Sequence, residues 1–131
     1  PLSALKTVAE QHNAEWCFSL FPTTDTKRYL PVHLDGSGRL QFVTHHGENN
    51  VNPIPLSTPT YANGGVYLIH PRALLPFLEE GVKVISLEKE IVPTCFAQRQ
   101  TFCGLSSDAT FIDIGIPADY RRAQTMVCFK N

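Results

Sequence analysis

One stretch near the end of the chain places a carboxylate where α/β proteins often bind ligands. Residues 110–120 read TFIDIGIPADY, with Asp113 inside a short apolar run, then a glycine, then Pro117. This order predicts a strand over residues 110–113, a tight turn and the start of a helix. Asp113 would then lie at a strand's carboxyl end, outside which open α/β sheets bind ligands. A single Asp beside a turn is also commonly a capping or solvated residue.

Two other short stretches carry residue types that suit a binding site. Gly64 and Gly65 follow Asn63 inside a predicted strand, where glycine is unfavourable unless a bulge or a closely approaching ligand requires the missing side chain. The sequence alone favours neither explanation. Ser86 is a suitable N-cap, and the helix dipole by itself accounts for Glu88 in the first turn that follows.

The cysteines and the adjacent histidines argue against a structural metal site. The four cysteines are Cys17, Cys95, Cys103 and Cys128. They form no CxxC pair and have no His at zinc-finger spacing, so buried thiols are expected. His45 and His46 open a long predicted loop over residues 44–59. Neighbouring positions on an extended chain point apart, which favours solvated side chains over a shared metal.

The elements that must position these residues alternate between helices and strands. The first half predicts a helix over residues 2–12, a strand over residues 14–21 and a hairpin of residues 28–34 with 40–42. The helix follows from apolar residues at helical spacing that end at Asn13. The strand is apolar on both faces, as in a covered strand. Two alternating runs around a glycine-containing loop are typical of a β-hairpin, and Pro31 indicates an edge strand.

The second half predicts three more strands and three helices. They are a strand over residues 61–69, a helix from Pro71 to Gly81, a helix after Ser86, paired strands over residues 101–106 and 110–113, and a helix from Pro117. Leu74, Leu75 and Leu78 give the first of these helices an apolar face. Pro93 is expected to kink or shorten the second helix. The last helix should bury Tyr120, Ala123 and Val127, and Gln124 in part.

Length predicts a single domain over residues 1–131, long enough to bury a core. Hydrophobic residues make up 43% and charged residues 18%, as in an ordinary folded protein. The net charge of -1 provides no electrostatic footprint for nucleic acid or for an anionic membrane. No apolar run approaches a membrane span and no leader opens the chain, which predicts a cytoplasmic protein. Because the first residue is Pro rather than Met, a processed or truncated product is expected.

Three motifs, taken in order, resemble a known enzyme family. They are NGGVYL at residues 63–68, SLEKEIVP at residues 86–93, and FIDIG followed by Pro117, Asp119 and Tyr120. Together they resemble the later part of the sugar-1-phosphate nucleotidyltransferases, particularly the mannose- and heptose-1-phosphate guanylyltransferase branch. The similarity runs from about residue 2 to residue 124. It implies a partial three-layer α/β/α nucleotidyltransferase-like fold with a mixed sheet, the fold of nucleotide-diphospho-sugar transferases.

The resemblance also implies roles for individual residues. Asn63, Gly64 and Gly65 would line a sugar pocket. Glu88 would accept a hydrogen bond from a sugar hydroxyl, and Lys89 would lie on the pocket wall. Asp113 would be the second ligand of a magnesium ion (Mg2+), whose first Asp ligand is expected upstream of this sequence.

Some family features are missing or changed in this chain. Thr44 and His45 stand where the pattern has Glu-Lys, and Ile116 stands where it has Thr. A neutral His is a poorer partner for a phosphate than an ammonium group. The opening glycine-rich loop with its Arg has no counterpart, because the glycine cluster at residues 35–38 belongs to the predicted hairpin.

The sequence therefore predicts a sugar-1-phosphate nucleotidyltransferase-like chain of the GDP-mannose or GDP-heptose type, inactive by itself. The alternatives are a non-catalytic sugar-phosphate-binding or protein-interaction module, and a chain complemented by a separate nucleotide-binding half. A homodimer is expected, since the strand over residues 14–21 would be uncovered in a partial fold and an exposed apolar strand is a template for pairing.

Overall fold

A five-stranded mixed sheet organises the fold. The computed structural model describes residues 2–25, 29, 31–42, 58–78, 84–107 and 111–126. The strands are β1 (Trp16–Pro22), β2 (Val32–Leu34), β3 (Leu40–Phe42), β4 (Tyr61–Ile69) and β5 (Phe102–Ser106), in the order β3-β2-β4-β1-β5. β1 and β5 are parallel, and the other neighbouring pairs are antiparallel.

Among the described residues, four α-helices, one 3-10 helix and one π-helix accompany the sheet. They are α1 (Leu2–His12), a 3-10 helix (Pro71–Ala73), α2 (Leu75–Leu78), a π-helix (Leu87–Ile91), α3 (Val92–Ala97) and α4 (Pro117–Met126). α1 ends at His12, and Asn13, the predicted stop, follows it with a left-handed φ of 46°. In the described part of the chain, no helix has the length and apolar character needed to cross a membrane.

Side chains of β1 alternate between two hydrophobic clusters. Trp16, Phe18 and Leu20 face one cluster, which includes residues of the 3-10 helix, the π-helix and α3. Cys17 faces the other cluster, with Leu5 and other residues of α1. Because helices cover both faces, the sheet is the middle of three layers, and the predicted α/β fold with a mixed sheet is confirmed.

Aromatic packing holds β1 against β5. The Trp16 ring stacks on Phe102 with centroids 5.3 Å apart, and its indole Nε1 donates to Gln100 Oε1 at 2.7 Å. Phe18 meets Phe102 edge-on at 5.9 Å. Each such aromatic pair contributes about 0.5–1.5 kcal/mol in addition to the effect of burying its apolar area. These contacts stabilise the parallel pairing of β1 with β5, although Trp16 and Phe102 are 86 residues apart in sequence.

The expectation that β1 is uncovered is wrong. β1 lies between β4 and β5, and Trp16 is 0% exposed. The outer edge of β5 is also partly covered, because Arg39 forms a β-bridge with Cys103 and the Gly104 amide donates to the Gly38 carbonyl at 3.4 Å. The homodimer argument rested on an exposed β1, but β1 has a strand on each side, and the hairpin also covers part of the edge of β5. That argument no longer supports association.

Two of the predicted strand arrangements are also wrong. β2 lies between β3 and β4 rather than at an edge. Pro31 is tolerated because it precedes the strand, where the sheet ladder requires no N–H. The predicted pairing of residues 101–106 with 110–113 does not occur, since β5 pairs with β1 and residues 111–113 form no strand. Residues 108–110 lie outside the described residues.

Helix burial differs from the prediction as well. The helix expected from Pro71 is broken into the 3-10 helix and α2, because Pro76 has no N–H to donate to the preceding turn. Leu78 is 70% exposed, and Gly81 lies outside the described residues. α4 begins at Pro117 as predicted, but Tyr120 is 52% exposed and Gln124 is exposed, whereas Asp119 is buried. Val127 is not among the described residues.

Candidate functional site

A bulge in β4 explains the pair of glycines. Phe18 and Leu20 of β1 pair with Tyr67 and Asn63 of β4, so three residues of β4 lie opposite the single residue Ser19. Gly65 has a φ of 77°, and a Cβ on Gly64 would lie 3.0 Å from Ser19 Oγ. The first glycine is required by the close approach of β1 and the second by the left-handed backbone.

The bulge also orients the Asn63 side chain. The Gly65 amide donates to Asn63 Oδ1 at 2.9 Å. Because the carbonyl oxygen is used in this way, the Nδ2 group is available as a donor on the other side of the amide. Nδ2 donates to the Tyr67 hydroxyl and to Glu88 Oε1, the latter at 3.2 Å.

Glu88 and Tyr67 complete a three-residue network with Asn63. The Tyr67 hydroxyl donates to Glu88 Oε1 at 3.1 Å. Glu88 is presented by the first turn of the π-helix, where Ser86 Oγ accepts from the Lys89 amide at 3.2 Å. Burial raises the pKa of Tyr67, the Asn63 hydrogen bond opposes this, and the Glu88 charge and hydrogen bond raise the pKa further. Tyr67 therefore remains a protonated donor at neutral pH.

This network borders a cavity of about 100 Å³, named here the Asn63 cavity. Its lining residues are Phe18, Tyr29, Val32, Phe42, Asn63, Tyr67, Glu88 and Val92. The Phe18 ring meets Tyr67 edge-on at 5.1 Å, so aromatic surface lies directly beside the polar network. Apolar walls with a few convergent polar groups are typical of small-molecule sites. A carboxylate, an amide and a phenol can exchange hydrogen bonds with ligand hydroxyls.

Asp113 borders a second cavity of about 510 Å³, named here the Asp113 cavity. Its lining residues are Phe21, Pro22, Thr24, Asp25, Tyr29, Phe111, Ile112, Asp113, Asp119 and Arg122. Asp113 Oδ1 accepts from the Gly115 amide at 2.9 Å, and the Phe111 ring stacks on Phe21 with centroids 3.9 Å apart. Tyr29 lines both cavities, so the two are neighbours.

The predicted site residues therefore fall into two groups. Asn63 and Glu88 contact each other, and Gly64 and Gly65 form the bulge beside them. Lys89 is exposed and contributes its backbone amide to the Ser86 cap. Asp113 lies in the other cavity and, contrary to prediction, on a turn rather than at a strand end. Thr44, His45 and His46 lie outside the described residues.

No group of three His, Cys, Asp or Glu side chains among the described residues is arranged to hold a metal ion. Asp113 is the predicted Mg2+ ligand, and its Oδ1 already accepts from Gly115. A single carboxylate is a weak magnesium site, because the ion keeps most of its waters unless substrate phosphates join. The described residues do not by themselves fit a tightly held ion. The expected burial of Cys17, Cys95 and Cys103 is confirmed.

Several residues of the two cavities were missed by the sequence reasoning. They are Asp25, Tyr29, Tyr67 and Arg122, and Asp119 was named without a role. A signal existed for Tyr67, because it is four residues after Asn63 on one strand and an even spacing shares a face. No local signal marks Tyr29 or Asp25.

Comparisons with known proteins match the sequence-based resemblance. No protein-family model matches the chain. The chain is 34% identical over 125 residues to D-glycero-alpha-D-manno-heptose 1-phosphate guanylyltransferase of Aneurinibacillus thermoaerophilus, a match that covers 92% of this chain and 48% of that protein. The chain spans about half the length of this relative. The resemblance predicted from the motifs is confirmed.

Comparison with solved structures supports the predicted fold of this chain. The crystal structure of HddC from Yersinia pseudotuberculosis has a TM-score of 0.60 with this chain at 22% identity, and its complex with GMP-PN has a TM-score of 0.58 at 22% identity. Both matches cover 92% of this chain and 48% of HddC. The predicted nucleotidyltransferase-like fold is therefore confirmed for the part of the fold that this chain represents.

Proposed function

We propose that these residues form the sugar-binding part of a sugar-1-phosphate nucleotidyltransferase-like protein of the GDP-heptose or GDP-mannose type. The observation that carries the proposal is the Asn63, Tyr67 and Glu88 network beside an aromatic cavity. The similarity to a heptose 1-phosphate guanylyltransferase supports it. The ligand proposed for this chain is a sugar 1-phosphate, and the proposal involves neither nucleic acid nor a membrane surface.

Within this function the described residues bind and orient the sugar. Asn63 and Glu88 hydrogen-bond to sugar hydroxyls, and the Gly64 and Gly65 bulge holds the Asn63 amide in position. Lys89 follows Glu88 in sequence and is exposed; its role on the pocket wall stays a prediction from the resemblance. These groups hold the sugar 1-phosphate so that its phosphate oxygen can attack the α-phosphorus of a nucleoside triphosphate and displace pyrophosphate. Such positioning lowers the barrier by removing rotational and translational freedom in advance.

Mg2+ enters the proposal through Asp113 and the substrate phosphates together. Because the described carboxylates do not form a closed metal site, ion binding is expected only with phosphates present. These 131 residues by themselves should release no pyrophosphate from GTP with mannose 1-phosphate and Mg2+, since they contain no glycine-rich loop for the nucleotide. Turnover that disappears in Asp113→Ala would contradict this.

The binding proposal can be tested by NMR titration with mannose 1-phosphate. The backbone and side-chain signals of Asn63, Gly65 and Glu88 should shift. Glu88→Gln should weaken binding by about tenfold, since a hydrogen bond to a charged group is lost. Glu10→Gln is the matched control, because Glu10 is an exposed carboxylate on α1, on the other face of the sheet. Shifts confined to residues 44–59 would contradict the assignment.

The cytoplasmic location, the homodimer and a complementing nucleotide-binding chain stay predictions. One experiment distinguishes a complemented chain from a stand-alone binding module. The nucleotide-binding half of a guanylyltransferase is added to this chain as a separate protein, and pyrophosphate release is measured. Pyrophosphate release that requires both parts would favour complementation. Sugar-phosphate binding without any turnover would favour the stand-alone module.

A further inference from the structure

The Asp113 cavity contains an arginine that the proposed sugar site has not used. Among the described residues that line this cavity, the charged side chains are Asp25, Asp113, Asp119 and the cationic Arg122. Three carboxylates around one space repel a phosphate group at neutral pH. Arg122 is the cationic group among these described residues, and its guanidinium is always charged and binds phosphate through a planar set of donors.

A buried carboxylate holds Arg122 in place. Asp119 is only 8% exposed and lies in the first turn of α4. Its Oδ1 lies 3.2 Å from Arg122 Nη2, one helical turn further along. The Arg122 side chain is 62% exposed, so the guanidinium is accessible to a ligand. A guanidinium has five N–H donors, and the contact through Nη2 leaves the donors of Nε and Nη1 for a second anion.

The position of this arginine relative to the sugar site is informative. Tyr29 lines both the Asp113 cavity and the Asn63 cavity, so the two cavities are neighbours. A ligand that occupied both would have its hydroxyls at Asn63 and Glu88 and its other end in the cavity that Arg122 lines. A sugar 1-phosphate has this polarity, with hydroxyls on the ring and a dianion at one end.

We propose that Arg122, positioned by Asp119, binds the phosphate group of the sugar 1-phosphate whose hydroxyls occupy the Asn63 cavity. This inference rests on the proposed function and extends it by assigning the anionic end of the ligand. Asp119 is a positioning residue, since it acts through Arg122. Asp113 remains the predicted metal-ligating carboxylate beside the same phosphate.

The test compares three ligands with four forms of the 131-residue chain. The ligands are mannose 1-phosphate, mannose and inorganic phosphate, each titrated by NMR at low ionic strength. The proteins are the wild type, Arg122→Gln, Arg122→Lys and Arg121→Gln. Arg121 is the matched control, because it is an exposed neighbour on α4 that does not line the cavity. Thermal unfolding of each variant verifies that α4 is intact.

The expected result is specific to the phosphate and to one position. Arg122→Gln should weaken mannose 1-phosphate binding by about tenfold, the effect of losing a charge-assisted hydrogen bond, and should leave mannose binding unchanged. Arg122→Lys should restore part of the loss, because the charge remains without the planar donor set. Arg121→Gln should bind all three ligands like the wild type.

Four results would overturn the inference. Equal losses in Arg122→Gln and Arg121→Gln would show a general charge effect. Inorganic phosphate that binds as tightly as mannose 1-phosphate would show an anion site unconnected with the sugar cavity. If mannose and mannose 1-phosphate bind with equal affinity, the phosphate contributes nothing to binding, and the phosphate assignment fails while the sugar site stands. If no ligand shifts these signals, the proposed function fails as well.

Discussion

The closest packing between β1 and β5 predicts a large effect from adding one methyl group at Gly104. A Cβ at this position would lie 2.4 Å from Leu20 Cδ1 and 3.1 Å from Leu20 Cγ. Leu34 Cδ2 would lie 3.2 Å away on another side. Leu20 is 2% exposed and is surrounded by the aromatic core, so it cannot rotate away without displacing its neighbours.

The expected magnitude follows from the cost of overpacking. Inserting a methyl group into a well-packed core costs about 1–3 kcal/mol. For a domain of this size, that loss lowers the melting temperature by about 3–10 °C. Gly104→Ala should therefore unfold at a clearly lower urea concentration than the wild type, with a similar dependence of the free energy of unfolding on urea.

Urea unfolding followed by Trp16 fluorescence measures this directly, because the chain has one Trp. Gly36→Ala is the matched control: a Cβ on Gly36 meets nothing within 4 Å. The control should change the free energy of unfolding by less than about 1 kcal/mol and could stabilise the fold, since Ala lowers the entropy of the unfolded chain. A Gly104→Ala protein as stable as the control would refute the packing of β5 against Leu20.

Three further predictions concern the site and the core. The folded pKa of Tyr67 is raised, so its contribution to stability is complete below the unfolded value of about 10 and is lost as pH rises through the folded value. Urea unfolding at increasing pH should show a steeper loss for the wild type than for Tyr67→Phe, and identical pH dependence would contradict this. Ser86→Ala removes the acceptor of the Lys89 amide and should cost about 1 kcal/mol in urea unfolding; an unchanged midpoint would argue against the cap. Trp16 is 0% exposed, so acrylamide should quench its fluorescence much less in the native protein than in urea, and strong native quenching would show that β1 is uncovered.

Local signals in the sequence determined most of the individual elements. Apolar residues at helical spacing and a terminal Asn13 defined α1. Two glycines inside a predicted strand indicated either a bulge or a closely approaching ligand, and the structure shows the bulge. Ser86 marked the helical segment that presents Glu88, and Pro117 marked the start of α4. These features depend on residues within one or two turns of each other, so their causes are contained in short stretches of sequence. The three ordered motifs likewise indicated the fold, and they pointed to Asn63 and Glu88, which the structure brings into contact.

The tertiary structure alone decided which elements meet. β5 was predicted to pair with residues 110–113, but it pairs with β1, because the stacking of Phe102 on Trp16 is a long-range contact without a local signature. Asp113 consequently lies on a turn instead of at the end of a strand. The placement of Tyr29 between two cavities and of Arg122 beside buried Asp119 has the same origin. Strand register and helix docking are set by the combined packing of residues far apart in sequence, and the alternating pattern of any one strand does not specify its partner.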